Sequence, residues 1–221
     1  TSLRDTPECT VQKIWTTGYA VTAAAFLSTI PFTPYDGSFA VKVFPILLLL
    51  GLALRSPAFI GKWGLVAAVV FSGCGDVVLD LQFKNSFIAG LASFLVAHLC
   101  YIGVFARRFR PQPRWAVITL GGILYPAAMA VFLWPYLGNI QIPVLVYIAA
   151  IALMFLTAIN RHEVNLWLVF GAGFFVLSDS ILALNRFYAP ISGARYAIMV
   201  TYYLAQFLIV TALVSEAEQA G

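Results

Sequence analysis

Long apolar runs separated by short polar breaks dominate the chain, and eight of them approach the length of a membrane span: near residues 11–30, 40–58, 62–82, 86–106, 115–134, 140–159, 164–184 and 195–214. A helix needs about 20 mostly apolar residues to cross the hydrocarbon core. The second run is the least regular, because Lys42 and Pro45 lie in its first turns and Arg55 near its end, so a short or tilted helix is expected there. The breaks at 31–38, 55–57, 83–85, 107–114, 134–139, 160–163 and 185–193 are rich in Pro, Gly, Asn and charge, which stop helices. They leave no room for a soluble domain. The pattern predicts an all-α membrane protein, a compact bundle of eight transmembrane helices forming a single domain over residues 1–221.

Composition agrees with lipid as the main solvent. Of 221 residues, 62% are hydrophobic and 10% charged, whereas a soluble domain carries about 25% charged residues. The net charge of +4 forms no basic stripe with interleaved aromatics, so no nucleic-acid partner is expected. Cys9, Cys74 and Cys100 are scattered and support neither a disulfide framework nor a CxxC site. The first ten residues are too polar for a signal-peptide core, and the first span is expected to be retained. Arg4, Lys13, Arg55, Lys62, Arg107, Arg108, Arg110, Arg114 and Arg161 fall on one side of the eight-span arrangement, against Lys42, Lys84, Arg186 and Arg195 on the other. The positive-inside rule then puts both termini in the cytoplasm.

Three acids interrupt the apolar runs: Asp76 and Asp80 in the third, Asp179 in the seventh. A carboxylate within a span costs a few kcal/mol even on lenient scales, so it faces a polar interior and marks a functional site. Counting at about 1.5 Å per residue puts Asp76 and Asp179 at similar depth, roughly 10 Å below the non-cytoplasmic helix ends. Ser72, Asp76 and Asp80 share one helix face, and Asp80 could equally pair with Lys84 at i+4. His98 and Tyr101 share a face of the fourth span, and Tyr202, Tyr203 and Gln206 lie in the eighth, so these groups could converge on one cavity. Against that stands a plain structural role, since interhelical hydrogen bonds of about 0.6 kcal/mol are common in membranes. Lys42 and Arg186 could snorkel to headgroups or bind a ligand phosphate. The segments Gly75–Leu81 and Ser178–Leu184 are alike at an offset of 103 residues, consistent with two parallel four-helix repeats or with chance.

There is no HExxH, GxSxG or phosphate-binding glycine loop, and no lysine in the last two spans for a Schiff base. Two histidines are few for a metal centre, and no cofactor is implied. Lys42-Val-Phe-Pro45, Gly75-Asp76, His98-Leu-Cys-Tyr101, the run Ser178-Asp179-Ser180-Ile-Leu-Ala-Leu-Asn185-Arg186-Phe187 and Tyr202-Tyr203-Leu-Ala-Gln206 together resemble the YhhN family of integral-membrane lysoplasmalogenases. The resemblance runs from about residue 40 to 214, and the stretch from Ser178 to Phe187 is its most specific part. It implies an eight-helix hydrolase of the vinyl ether bond of lysoplasmalogens, with Asp76 and Asp179 as the family's two aspartates. The implied partners are a lysophospholipid substrate and membrane lipids.

Vinyl ether hydrolysis needs a proton donor and a nearby negative charge, because protonation of the β-carbon creates an oxocarbenium ion. Two carboxyls in a water-poor chamber can hold one proton between them and divide those tasks. One of Asp76 and Asp179 is expected to be the acid and the other the ionised partner, with either order open. Gly75 and Ser178 would let a substrate chain approach the backbone, His98, Tyr101, Tyr203 and Gln206 would orient the pair, and Tyr202 would contact substrate, while Lys42, Asn185 and Arg186, with Arg195, would hold the headgroup phosphate. A proton-coupled transporter, a metal-dependent hydrolase built on Asp76, Asp179, His98 and Asp80, and a lipid-binding scaffold are the competing readings.

Overall fold

The computed structural model describes residues 7–33, 35–81 and 83–220. Arg4 and the side chains of Cys9 and Lys13 lie outside that description. Among the described residues the chain forms eight α-helices and no strand beyond an isolated bridge between Phe109 and Arg161. They are α1 (Pro7–Thr29), α2 (Ser38–Arg55), α3 (Lys62–Asp80), α4 (Ser86–Phe105), α5 (Ala116–Leu133), α6 (Gln141–Ile159), α7 (Leu166–Ala183) and α8 (Ala194–Ala220). Seven of these, α2 to α8, are long and apolar enough to cross a membrane among the described residues. The chain is a multi-pass α-helical membrane protein.

The helix ends follow local chemistry. Gly37 and Gly61 precede α2 and α3 with φ of 84° and 116°, a left-handed backbone that other residues adopt only with strain. Asn165 caps α7, its side-chain oxygen accepting from Trp167 N at 3.1 Å. The last helix, α8, runs to Ala220 rather than ending near 214, since nothing in its sequence breaks the helical pattern there. Beyond α7 the helix does not stop but widens into a π-helical segment over Leu184–Tyr188. This shifts Arg186 off the i+7 register with Asp179 that a continuous α-helix would give.

Successive helices pack as neighbours, with α3 on α4 and α7 on α8 the most extensive pairs. Two longer-range contacts, α4 on α6 and α2 on α8, close the bundle, and α1 lies against α2 and α8. Phe26, Leu65, Phe105, Met154, Phe175 and Ile209 fill a core with no exposed area. Val117, Val131 and Trp167 are instead 65–83% exposed, as expected where lipid replaces water outside. At the arginine-rich end, Arg161 grips Glu216 of α8 through two hydrogen bonds of 2.9 and 2.7 Å. The most peripheral span is α5, 11% buried against 61% for α8.

Candidate active site

Asp76 and Asp179 each lie four residues before the end of their helix, α3 and α7. Both line one cavity of about 630 Å³, open toward the end where those two helices finish. Asp80, Lys42, Ser178, Asn185, Arg186, Arg195 and Tyr202 line it too. With Lys84 also on its wall, four basic side chains beside three carboxylates make it a polar chamber in an otherwise apolar body.

The two aspartates are held differently. Asp76 is 2% exposed, with Lys42 Nζ 3.3 Å from its Oδ1 and the Tyr202 hydroxyl donating to its Oδ2 at 2.6 Å. Lys42 Nζ also donates to the Asp76 backbone carbonyl at 3.1 Å. Tyr203 fixes the other end of that residue, donating to the Lys42 carbonyl at 2.7 Å. Lys42 therefore does not snorkel to the headgroup layer; it turns inward because a carboxylate waits there. Asp179 accepts at Oδ2 from the Tyr147 hydroxyl at 2.5 Å, and His98 Nε2 lies 3.5 Å from the same oxygen. His98 Nε2 is 3.0 Å from Tyr147 Oη, so imidazole, phenol and carboxylate form one hydrogen-bonded group from α4, α6 and α7.

Asp80 pairs with Arg195 at 2.8 Å and accepts from Ser38. The expected partner Lys84 is not the one chosen, because α3 ends at Asp80 and the chain turns before Lys84 is reached. Tyr101 and Gln206, both fully buried, bond to each other at 2.6 Å and do not line the cavity. His98 and Tyr203 also stand behind its wall, and Ser178 Oγ donates to the Ile198 carbonyl at 3.0 Å. Asn185 accepts from Ile191 N at 2.8 Å, shaping the turn after the π segment. The Arg186 guanidinium lies 5.1 Å from the Phe87 ring.

Tyr147 was not singled out in the sequence, where it stands among apolar neighbours in α6 without a polar residue beside it. A lone phenol in the middle of an apolar span was the available signal. Ser38, at the start of α2 after a polar turn, and Tyr19, one turn beyond two threonines, give no sequence signal of their own; Tyr19 of α1 donates to the Tyr203 carbonyl at 2.7 Å. Among the described residues no three His, Cys, Asp or Glu side chains gather closely enough to hold a metal ion.

Asp179 also borders a second, apolar cavity of about 60 Å³ enclosed by α4, α5, α6 and α7. Its carboxyl thus marks the boundary between a charged chamber and a hydrocarbon-lined one. Such a boundary suits an amphiphile.

A multi-span helical protein with a buried acidic chamber at one membrane face is the class these features define. The chain belongs to the YhhN family, whose model matches residues 37–213. It is 33% identical over 176 residues to a protein named lysoplasmalogenase from Mycobacterium tuberculosis (strain CDC 1551 / Oshkosh), covering 77% of this chain and 67% of that one. Human lysoplasmalogenase TMEM86A is 31% identical over 157 residues, 68% of this chain and 65% of the relative. Pig lysoplasmalogenase TMEM86B is 32% identical over 171 residues, 76% and 72% respectively. The chain thus spans about two thirds of the length of these relatives. No solved structure matches it.

Proposed function

We propose that this protein is a lysoplasmalogenase, hydrolysing the vinyl ether of a lysophospholipid to a fatty aldehyde and a glycerophospho-alcohol. The observation that carries the reading is the shared chamber of Asp76 and Asp179; the names of the relatives agree with it.

The two surroundings support a division of roles. Asp76 faces an ammonium, which favours its charged form and fits it to stabilise a cation and orient water. Asp179 has a phenol and an imidazole for partners and borders the apolar cavity, where the alkenyl carbons belong. The Asp179 carboxyl gives its proton to the β-carbon of the vinyl ether, and the C=C electron pair forms the new C–H bond. The resulting oxocarbenium ion lies in reach of the negative field of Asp76. Water adds to the α-carbon and loses a proton to a carboxylate. The hemiacetal then collapses, its hydroxyl proton passing to the departing glycerol oxygen. One water is consumed, no electrons leave the substrate and no cofactor is needed. Arg186 and Arg195 on the chamber wall are the groups for the headgroup phosphate.

In the bilayer α1 joins the other seven helices as an eighth span, and both termini face the cytoplasm. The arginine-rich end carrying Arg107, Arg108 and Arg161 is then cytoplasmic and the chamber opens on the other face. The eight helices form two parallel repeats of four. This is supported by equivalent packing in each half: α3 on α4 matches α7 on α8, and α2 on α8 matches α6 on α4.

Purified protein in detergent is expected to release aldehyde from lysoplasmalogen, which a transporter does not. Asp179→Asn is expected to lower kcat by about 10²–10⁴-fold. Normal turnover in that variant overturns the acid assignment, and no aldehyde from the wild type overturns the function.

A further inference from the structure

The apolar cavity beside Asp179 does not end there. Its wall residues Tyr125, Pro126 and Val176 are shared with a further apolar cavity of about 260 Å³ between α5, α6 and α7. Together they form a groove running along α5 from Leu133 down to Ile118. At about 1.5 Å per residue, those 15 steps span roughly 22 Å, more than the ~15 Å that one leaflet's hydrocarbon occupies. Because α5 and α7 run in the same direction, the groove starts at the level of Asp179 and descends toward the arginine-rich end.

We propose that this groove is the binding site for the substrate's alkenyl tail and that its floor at Gly121, Gly173 and Phe155 sets the preferred chain length. The inference rests on the vinyl ether reading of Asp179. Three observations select a tail over any other occupant. The groove is continuous with the Asp179 carboxyl, so a chain lying in it delivers its first carbons to the acid. Its lining is hydrocarbon apart from Tyr125, Tyr147, Asp179 and Ser180. It opens to lipid on the α5 side, where Tyr125 midway along it is 45% exposed, giving the tail a lateral entry from the bilayer.

The far end is built from missing side chains. A Cβ at Gly121 would meet nothing within 4 Å, and one at Gly173 would touch only Phe155, at 3.7 Å. Space at these positions is therefore open to a ligand and can be filled by a larger residue without moving backbone. Gly122 behaves differently: a Cβ there would lie 2.9 Å from the Phe155 ring, so this glycine lets α5 approach α6 and is the wrong position to alter.

The test uses purified full-length protein with medium-chain and long-chain lysoplasmalogens. Gly173→Leu is expected to lower the long-to-medium ratio of kcat/KM about tenfold, the effect of expelling roughly two methylenes. Phe155→Ala, which deepens the floor, is expected to raise that ratio. An unchanged ratio in both variants overturns the proposal. In parallel, a long-chain alkyl-ether lysolipid carrying a diazirine at the tail end cannot be cleaved as a vinyl ether and reports binding alone. Labelling within 118–126 or 173–176, displaced by lysoplasmalogen, supports the groove. Labelling spread over other lipid-facing helices, or labelling of the groove that lysoplasmalogen does not displace, indicates ordinary bilayer lipid and overturns it. Absence of aldehyde from either chain length would defeat the vinyl ether reading, and the labelling would still judge the groove.

Discussion

Replacing Lys42 with methionine removes an ammonium while keeping most of the side chain's apolar length. Its nitrogen lies 3.3 Å from Asp76 Oδ1, with the two side chains 8% and 3% exposed. Opposite unit charges at that separation attract by about 5 kcal/mol at an effective dielectric constant near 20. Desolvation offsets much of this, yet removing one member strands the other, which costs about 3–5 kcal/mol. A chain of this size loses about 2–4 °C of Tm per kcal/mol. Lys42→Met is therefore expected to lower Tm by roughly 6–20 °C, read from tryptophan fluorescence of detergent-purified protein. Adding Asp76→Asn removes the stranded charge and is expected to recover most of that loss, because neutral replacement of a buried pair is close to neutral. Aldehyde release separates stability from chemistry: kcat is expected to fall by about 10²-fold or more in Lys42→Met and to stay low in the double variant. A lysine that grips the headgroup predicts the reverse, a raised KM with kcat and Tm intact. That result would refute the pairing as the charged half of the site.

Tyr147→Phe removes the 2.5 Å bond to Asp179; a hydrogen bond between neutral groups contributes about 0.5–1.5 kcal/mol, so kcat is expected to drop about two- to tenfold with KM little changed. An equal rise in KM instead would make Tyr147 a substrate contact. Gly171→Ala puts a Cβ 3.0 Å from Ile209 N and 3.1 Å from the Ala205 carbonyl. Backbone cannot yield as a side chain does, so a loss of about 1–3 kcal/mol in unfolding free energy is expected; an unchanged Tm would mean that α7 and α8 pack less closely. Arg161→Met removes the 2.7 Å ion pair to Glu216 at the opposite end but leaves Glu216 with Arg108 at 3.4 Å and Asn165 at 3.1 Å, so a loss of about 1–3 kcal/mol is expected, with aldehyde release below the transition at the wild-type rate. A catalytic loss there would require coupling between the two ends.

The spans were legible because lipid imposes a simple rule: a helix of about 20 apolar residues satisfies its backbone and its solvent together. Asp76 and Asp179 stood out by the same rule, as charges where charge is expensive. Their partners were only half visible. Lys42 and His98 stand out as ionisable groups within apolar runs and Tyr202 sits beside Tyr203, whereas Tyr147 is a phenol with apolar neighbours throughout and is defined by what it meets across the bundle. Sequence spacing alone also gave Asp80 the wrong neighbour. Lys84 was one helical turn from Asp80 only if α3 continued, and it stops. Pairing across helices and departures from ideal helix geometry are set by tertiary packing, which periodicity does not encode. The groove along α5 is likewise a gap between elements, and gaps leave no residue pattern of their own.

On the proposed duplication, each aspartate draws its partners from equivalent places. Asp76 of α3 meets Lys42 of α2 and Tyr202 of α8; Asp179 of α7 meets Tyr147 of α6 and His98 of α4. Exchanging the halves turns α2 into α6 and α8 into α4, so the two sets superpose helix for helix. Tyr101 of α4 and Gln206 of α8, from helices that are each other's counterparts in this exchange, bond across the middle at 2.6 Å. Two identical carboxyls in one chamber would compete for the same proton and share the same task. Here the partners differ in charge: an ammonium on one side, a phenol and an imidazole on the other. On the proposed roles that difference breaks the symmetry: the ammonium beside Asp76 favours its charged form, and Asp179 serves as the acid. Only Asp179 also touches the hydrocarbon-lined groove, so the group able to donate is the one nearest the alkenyl carbon. Division of labour between the two carboxyls then follows from which neighbours diverged, not from the aspartates themselves.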